Sequence, residues 1–331
     1  MTRGRIETAL TEAHIPSLIC ALVHLTGDAS LLAENRPTYD FFGDGQGNLP
    51  PALQDAVRQR AAEAISAHFA GTPLPPAPDA ATVRRMMDFI AGADIPKHYV
   101  PFLMEELGIE SADPKRPEPA LVKKRVAIVG AGMSGLLAAI RLRQAGHEVV
   151  IIEKNADVGG TWLENTYPGC RVDNPSHLYS YSFEANHPWP AHYSTQPTLL
   201  AYFRDIADKY DLRALIRFGT TVDRAEWDEG ASLWRLTLSG QHAGNIEVDA
   251  LVSAVGQLNQ PRLPDIPGVG TFKGPAFHSA RWRHDVNLKG KRVAVIGTGA
   301  SAYQFVPEIA PEVGQLTVFQ RTPPWGGPTP N

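Results

Sequence analysis

The sequence has few cysteines, no long apolar run and no excess of positive charge. Cys20 and Cys170 are the only two cysteines among 331 residues, too few for a disulfide framework, so we expect a protein of the reducing cytoplasm. Their wide spacing also argues against a disulfide reductase. No apolar run reaches the roughly 18 residues that a membrane span needs, and charged residues close to the start argue against a signal peptide. The net charge of −4 gives no sign of nucleic-acid binding.

The most informative stretch is Arg125 to Glu153, where a glycine turn separates two short apolar runs. Val126–Val129 is apolar and rich in β-branched residues, as expected of a parallel strand buried on both faces. Gly130–Gly135 then fits G-x-G-x-x-G, in which the glycines permit a tight turn, close approach to a pyrophosphate and close packing of the next helix. We predict that helix over Leu136–Ala145, ended by a glycine, and a second strand over Glu148–Ile152.

An acidic residue closes this first unit. Glu153 lies 18 positions after Gly135, close to the roughly 20 positions expected for a carboxylate that binds a ribose hydroxyl. The combination of strand, turn, helix and acid predicts dinucleotide binding. A glycine turn in some other α/β domain is the alternative.

A second unit repeats the pattern but ends on a basic residue. A strand is predicted at Arg292–Ile296, a turn at Gly297–Ala302 with alanine in the third glycine's place, and another strand at Leu316–Phe319. Arg321 follows, 19 positions after Ala302. An arginine there suits a 2′-phosphate, so we predict NADP in this unit and a ribose with free hydroxyls in the first. The alternative for Arg321 is a solvated surface arginine.

The composition, 43% hydrophobic and 20% charged, is that of a globular protein with room for two or three domains. We predict an α/β fold with two Rossmann-like dinucleotide-binding domains, the second one truncated, after a helical N-terminal extension. The domains are a helical extension at 1–120, the first nucleotide-binding domain at 121–270, and a linker with the start of the second at 271–331. The extension is expected to pack against the catalytic body or a second subunit, which makes a homodimer possible.

Within these domains the pattern predicts further elements. Apolar spacing favours helices in the extension, and its histidines are expected to be surface or packing residues, with no metal site. An alternating stretch predicts a hairpin at Trp227–Leu238, and an apolar one predicts a buried strand at Val248–Val255. The expected helices and proline-rich linkers of the extension are Ile6–Leu25 (broken at Pro16), Leu53–Phe69, Val83–Ile90 and Val100–Leu107, with linkers at 73–78 and 114–119.

Three further stretches carry a family resemblance. They are Val158–Trp162 (VGGTW), Tyr167–Asp173 (YPGCRVD) and Phe272–Trp282, which fits F-x-G-x-x-x-H-x-x-x-W. Set between two glycine turns, this pattern resembles the type I Baeyer–Villiger monooxygenases. Arg283 departs slightly from the family, which usually has proline or aspartate there.

The resemblance implies FAD in the first unit and NADPH in the second. It implies catalytic roles for Asp173, beside the flavin, and for His278 and Trp282 in the linker. A turn cap at Asp173 and a purely structural linker role for the other two are the alternatives. The implied flavin contacts are Gly130, Gly132, Ser134, Gly135, Glu153, Thr161, Trp162, Val172, Asp173, Tyr179 and Val222. The implied NADP contacts are Arg171, Gly297, Thr298, Gly299, Ser301, Ala302, Gln304, Arg321 and Thr322.

The family's reaction converts a small-molecule ketone to an ester or lactone with O2 and NADPH, and the resemblance favours aryl ketones. The family's catalytic arginine is expected beyond Asn331, so we expect the chain to be the N-terminal half of a longer enzyme and inactive alone. Two alternatives stay open. One is a non-catalytic flavin-binding or dimerising fragment, and the other is an N- or S-oxidising flavin monooxygenase, against which Trp282 argues.

Overall fold

The computed structural model describes residues 2–33, 36–39, 45–109, 120–184 and 187–326. The chain separates into two compact units, residues 1–115 and 116–331. The linker predicted at 114–119 lies outside the described residues. Within the described ranges, no helix is both long enough and apolar enough to cross a bilayer.

The first unit is helical, as predicted. Its helices are α1 Arg3–Leu10, α2 Ile15–Thr26, α3 Pro51–Phe69, α4 Ala80–Ala91 and α5 Val100–Glu106. Its core is formed by apolar side chains of α1 to α4, among them Ile19, Val57 and Phe89. Pro16 does not break one long helix; it lies in the first turn of α2, where its missing N–H costs no intrahelical bond. Gly27 ends that helix in the left-handed conformation.

The second unit is α/β, and its described residues form three sheets. Its helices are α6 Met133–Gln144, α7 Thr161–Glu164, α8 Gln196–Lys209 and α9 Ala300–Ile309. Its strands are β1 Arg125–Val129, β2 Glu148–Ile152, β3 Ile216–Arg217, β4 Thr220–Asp228, β5 Leu233–Gly240, β6 Gly244–Val248, β7 Ala250–Ser253, β8 Arg292–Ile296 and β9 Gln315–Phe319.

The first glycine turn belongs to a four-stranded parallel sheet in the order β3-β2-β1-β7. This corresponds to the 3-2-1-4 order of a doubly wound nucleotide-binding fold. Ile128 and Ile151 face the α6 side of the sheet and are fully buried with Leu136 and Phe203. Because strand side chains alternate, their neighbours form a second apolar cluster on the opposite face. The Rossmann-like prediction is confirmed for this unit.

The prediction of one buried strand over Val248–Val255 was wrong, both in the extent of the strand and in its burial. Val248 belongs to β6, and only Ala250–Ser253 joins the parallel sheet. Within the described residues β7 pairs on one side only, with β1, and its side chains are half-buried or exposed. The apolar run therefore reflected a strand at the edge of the described sheet.

The predicted hairpin is confirmed and extended. Strands β4 and β5 pair antiparallel, with Trp227 opposite Trp234, and β6 adds a third strand. Leu236, Leu238 and Val248 from this arm pack against the parallel sheet.

The second glycine turn joins β8 to α9, and β9 pairs with β8 in parallel. This confirms the strand–turn–helix–strand order predicted from the repeated pattern. Val295 and Phe305 are buried, whereas Ile296 is 61% and Phe319 56% exposed.

Candidate nucleotide-binding sites

The first glycine turn is crowded by its own backbone. Gly130 has φ +104°, and a Cβ there would lie 2.6 Å from the Ala254 carbonyl oxygen. A Cβ on Gly135 would lie 1.9 Å from the Gly130 carbonyl oxygen. A side chain at either position is therefore excluded by protein atoms, as expected where a helix starts directly on the end of a strand.

A second glycine pair approaches this turn from the side. A Cβ built on Gly160 would lie 3.0 Å from the Gly132 Cα, and one on Gly132 would lie 3.5 Å from the Gly160 Cα. The Gly159 amide donates to the Ala131 carbonyl at 3.1 Å. The G-x-G-x-x-G turn and the VGGTW segment, which are separate motifs in the sequence, therefore form one glycine-lined structure.

Glu153 closes this site and is 4% exposed. One carboxylate oxygen accepts from the Ala131 amide at 2.7 Å, and the other accepts from the Asn155 amide at 2.8 Å. A carboxylate can accept about four hydrogen bonds, so this group can hold the turn and still accept a ribose hydroxyl. Sequence spacing pointed to the ribose contact, but the bond to the turn became visible only in the structure.

The first turn of α6 is suited to an anion. Met133, Ser134, Gly135 and Leu136 include no acidic residue, and the first amide groups of a helix have no partner within the helix. Ser134 is exposed. Together with the glycines and Glu153, this arrangement fits the pyrophosphate and ribose of a dinucleotide.

The other residues assigned to the flavin fall into two groups. Trp162 is buried at the start of α7, directly after the second glycine pair, and its indole N–H donates to the Tyr179 hydroxyl at 3.3 Å. Thr161 and Asp173 are exposed, and Val172 is buried. Val222 lies apart from these residues, because it packs against the apolar cluster on the face of the sheet opposite α6.

The second glycine turn is open by comparison. Gly297 has φ +101°, yet among the described residues no atom lies within 4 Å of a Cβ built on Gly297 or Gly299. Ala302 occupies the third position, is 8% exposed and packs in the core. A ligand can approach the backbone here without displacing any of the described residues.

Arg321 lies at the same edge as this turn. The Gly297 amide donates to the Phe319 carbonyl at 2.8 Å, which brings the ends of β8 and β9 together, and the Thr298 hydroxyl reaches the Thr322 carbonyl at 3.5 Å. The Arg321 side chain is exposed, and within the described part of the chain no hydrogen-bond or ion-pair partner for it is found. A free guanidinium beside an open glycine turn fits a phosphate.

The two turns are connected through α9. The Gln304 side chain bonds to Tyr167 and to both main-chain polar groups of Arg171. Burial raises the pKa of Tyr167 to about 12, so its hydroxyl stays protonated and donates to Gln304. Phe305 contacts the Tyr167 ring edge-on. The residues implied as NADP contacts by resemblance are thus divided between an open turn and this packed junction.

The predicted linker, which contains the Phe272–Trp282 segment, packs against the junction formed by Tyr167 and α9. Trp282 packs against Phe277 and Phe305. His278 caps the following 3₁₀ turn, its Nδ1 accepting from the Ala280 amide at 3.1 Å. This leaves Nε2 as the protonated nitrogen of the neutral ring. The structure brings Trp282 to the junction, and it gives His278 a local capping contact.

Sequence reasoning missed Glu164. Its side chain is 10% exposed and receives ion pairs from Lys154 at 3.0 Å and Arg281 at 2.9 Å, with a hydrogen bond from Asn155. Burial alone would raise the pKa of this carboxyl, but the Asn155 bond and the Lys154 charge outweigh burial and lower it. Glu164 and Arg281 lie far apart in sequence, so no spacing rule could have found the pair.

Comparison with known proteins places these features in a family. The model of the flavin-binding monooxygenase-like family matches residues 123–326. A Baeyer–Villiger monooxygenase of Streptomyces coelicolor is 50% identical over 202 residues, covering 61% of this chain and 38% of that protein. An uncharacterized monooxygenase of Sinorhizobium fredii is 37% identical over 335 residues, covering 99% of this chain and 50% of that protein. The chain thus spans half or less of the length of these curated relatives.

Solved structures give the same result for the fold. OTEMO in complex with FAD and NADP matches with a TM-score of 0.58 at 39% identity, covering 64% of this chain and 41% of that chain. Cyclohexanone monooxygenase from Rhodococcus sp. Phi1 bound to NADP+ matches with a TM-score of 0.58 at 39% identity, covering 64% of this chain and 40% of that chain.

Proposed function

The chain belongs to the flavin-binding monooxygenase-like family, and from that premise we propose that it carries the FAD and NADPH sites of a Baeyer–Villiger monooxygenase. The proposed reaction converts a ketone to an ester or lactone with O2. One observation carries the proposal. Two glycine turns in one unit are closed by groups of opposite charge, a buried carboxylate at Glu153 and an exposed guanidinium at Arg321.

The residues around the first turn fit FAD. The α6 amides and the glycine backbone bind the pyrophosphate, and Glu153 accepts from the ribose hydroxyls while it holds Ala131. A 2′-phosphate would be repelled by this carboxylate. Trp162 and Tyr179 form a rigid edge-to-face pair beside the turn, which can position the flavin ring system.

The residues around the second turn fit NADPH. Arg321 pairs with the 2′-phosphate, and the α9 amides bind the pyrophosphate next to Thr298. When bound, NADPH supplies a hydride and the flavin activates O2. Asp173 is the acid proposed to act beside the flavin; it is exposed and follows the segment that Gln304 fixes. Trp282 and His278 are proposed to orient the linker during turnover.

We propose aryl ketones as the substrate class, on the resemblance of the sequence alone. Among the matching structures are cyclohexanone monooxygenases, so cyclic ketones are the natural comparison. An assay should offer 4-hydroxyacetophenone and cyclohexanone to the same preparation and quantify ester and lactone.

The deciding experiment has two stages. The purified chain is first reconstituted with FAD, and bound flavin is measured by its visible absorbance after gel filtration; a colourless protein would refute the proposal. The reconstituted chain is then supplied with NADPH, O2 and each ketone. Formation of ester or lactone supports the proposed reaction. Binding of flavin without binding of NADP+ and without product favours the non-catalytic reading, and oxidation of an amine or thioether without ester favours an N- or S-oxidising enzyme.

We also propose that the helical first unit mediates a homodimer. Phe69, Tyr99 and Phe102 expose 58%, 49% and 56% of their surface in that unit, and contact with a second chain would remove this apolar surface from water. Light scattering coupled to gel filtration should give twice the chain mass. Replacing Phe102 by serine should shift the measured mass towards that of one chain, and a dimer of unchanged stability would exclude Phe102 from the interface.

A further inference from the structure

Residues 170–172 form a short extended segment with two edges. On one edge, the Gln196 amide donates to the Cys170 carbonyl at 2.8 Å, and the Val172 amide donates to the Ser194 carbonyl at 3.1 Å. Arg171 is the antiparallel partner of Thr195 in this bridge. In such a pair, the amide and carbonyl of the central residue point to the other edge.

A side chain fills that other edge. The Arg171 amide donates to Gln304 Oε1 at 3.2 Å, and Gln304 Nε2 donates to the Arg171 carbonyl at 2.9 Å. The carboxamide of Gln304 therefore pairs with Arg171 as the peptide group of a neighbouring strand would. The Tyr167 hydroxyl adds a bond to the same oxygen at 3.0 Å.

These contacts occupy three of the four hydrogen-bonding sites of the Gln304 carboxamide. A carboxamide oxygen accepts two hydrogen bonds, and here both come from protein groups. One N–H of the amide is also used. Gln304 lies on α9, which begins at the second glycine turn, while Arg171 lies in the YPGCRVD segment of the first nucleotide unit.

We propose that Gln304 is a positioning residue and not a cofactor ligand. It fixes the main chain of Arg171, and through it the base of the Arg171 side chain, whose Nε donates to the Gly169 carbonyl at 3.2 Å. Movement of α9 when a nucleotide binds at its N-terminus is thereby transmitted to residues 170–173, which end at Asp173. The first part of this inference concerns the protein alone, and only the transmission rests on the proposed function.

The first test needs no cofactor. Hydrogen–deuterium exchange is followed on peptides covering 167–173 in the purified full chain, in wild type, Gln304→Met and Gln304→Glu. Methionine keeps the volume and loses every polar contact, so exchange at Arg171 should accelerate about tenfold. Glutamate keeps the acceptor oxygen but sets a second oxygen against the Arg171 carbonyl, so protection of the Arg171 amide should be rescued only in part. Equal protection in wild type and Gln304→Met would overturn the inference.

A matched control separates positioning from general loosening of the helix. Ile309 is 4% exposed on the same α9 helix. Ile309→Val removes one buried carbon without touching Gln304. It should leave exchange at 167–173 unchanged although it destabilises α9. If Ile309→Val accelerates that exchange as much as Gln304→Met, the effect is general and the inference fails.

The second test measures NADP+ dissociation constants for wild type, Gln304→Met, Arg171→Ala and the double variant. If Gln304 acts through Arg171, Gln304→Met should weaken binding about tenfold in the wild-type background and less than about twofold when Arg171 is absent. Independent, multiplicative losses would show that Gln304 binds the nucleotide itself and would overturn the inference. If wild type bound no NADP+, the proposed function would fail, and the exchange experiment would still decide the role of Gln304.

Discussion

The two glycine turns share a sequence pattern but are built for different constraints. In the first, protein carbonyls occupy the space that side chains at Gly130 and Gly135 would need. In the second, no described atom lies within 4 Å of a Cβ on Gly297 or Gly299. The first turn therefore needs glycine at positions 130 and 135 because protein atoms fill the space, whereas in the second turn Gly297 is needed for its φ of +101° and Gly299 leaves room for a ligand among the described residues. Substituting a glycine of this motif should therefore reduce stability in the first turn, whereas substituting Gly299 in the second should reduce ligand binding.

The largest expected effect is at the third glycine of the first turn. Gly135→Ala places a Cβ 1.9 Å from a backbone oxygen, which only movement of α6 or the strand end can relieve. We expect a loss of about 3 kcal/mol or more in the free energy of unfolding, measured by urea denaturation. The matched position in the second turn is already alanine, and Ala302→Gly should cost only about 1 kcal/mol. Similar losses at both sites would contradict the comparison.

The second-largest effect is expected at Glu153, the acidic residue that closes the first turn. Glu153→Gln leaves one carbonyl oxygen for two backbone donors, so either the Ala131 or the Asn155 amide loses its acceptor. An unsatisfied buried donor costs about 1–3 kcal/mol, so urea unfolding should detect it, and flavin affinity should fall as well. Glu148→Gln, on the exposed start of the same strand, is the control and should change stability by less than about 0.5 kcal/mol. An unchanged stability in Glu153→Gln would show that Glu153 does not hold the turn.

The guanidinium that closes the second turn should affect binding and not stability. Arg321→Ala should weaken NADP+ about tenfold or more, since a charge-assisted contact to phosphate is lost, and leave NAD+ unchanged. Arg292→Ala removes another exposed arginine, at the far end of β8, and should affect neither nucleotide. Titration of each variant with both nucleotides provides the measurement. Parallel losses for NADP+ and NAD+ would refute the 2′-phosphate contact.

The smallest effect on folding is expected at Gly299. Its φ is −70° and a Cβ there meets no described atom within 4 Å, so Gly299→Ala should change the free energy of unfolding by less than about 0.5 kcal/mol. The methyl group would nevertheless lie where the backbone must approach a pyrophosphate, so NADP+ affinity should fall. A marked loss of thermal stability would mean that the second turn is as crowded as the first.

Local signals were sufficient for the elements that form these turns. The buried run Val126–Val129, the glycines and the acid at position 153 are close in sequence, and each expresses one physical requirement of a strand, a turn or a helix start. The repeat at Arg292–Phe319 was found for the same reason. The helices of the first unit followed from apolar spacing.

Local sequence patterns could not predict contacts between segments that are distant in the chain. Arg171 and Gln304 are 133 positions apart, and a glutamine on a helix gives no sign of which backbone it will bind. Within the described residues β7 lies at the edge of its sheet, which depends on which strands pair with it, whereas its apolar content suggested full burial. Of the two roles of Glu153, the sequence spacing predicted the ribose contact but not the hydrogen bond to Ala131.

The central claim is that opposite charges close the two turns and select unlike coenzymes. It is tested most directly by titrating the FAD-reconstituted chain with NADP+ and NAD+ under identical conditions. The account predicts that flavin remains bound and that NADP+ binds at least about tenfold more tightly than NAD+. Equal affinity for the two nucleotides would contradict it.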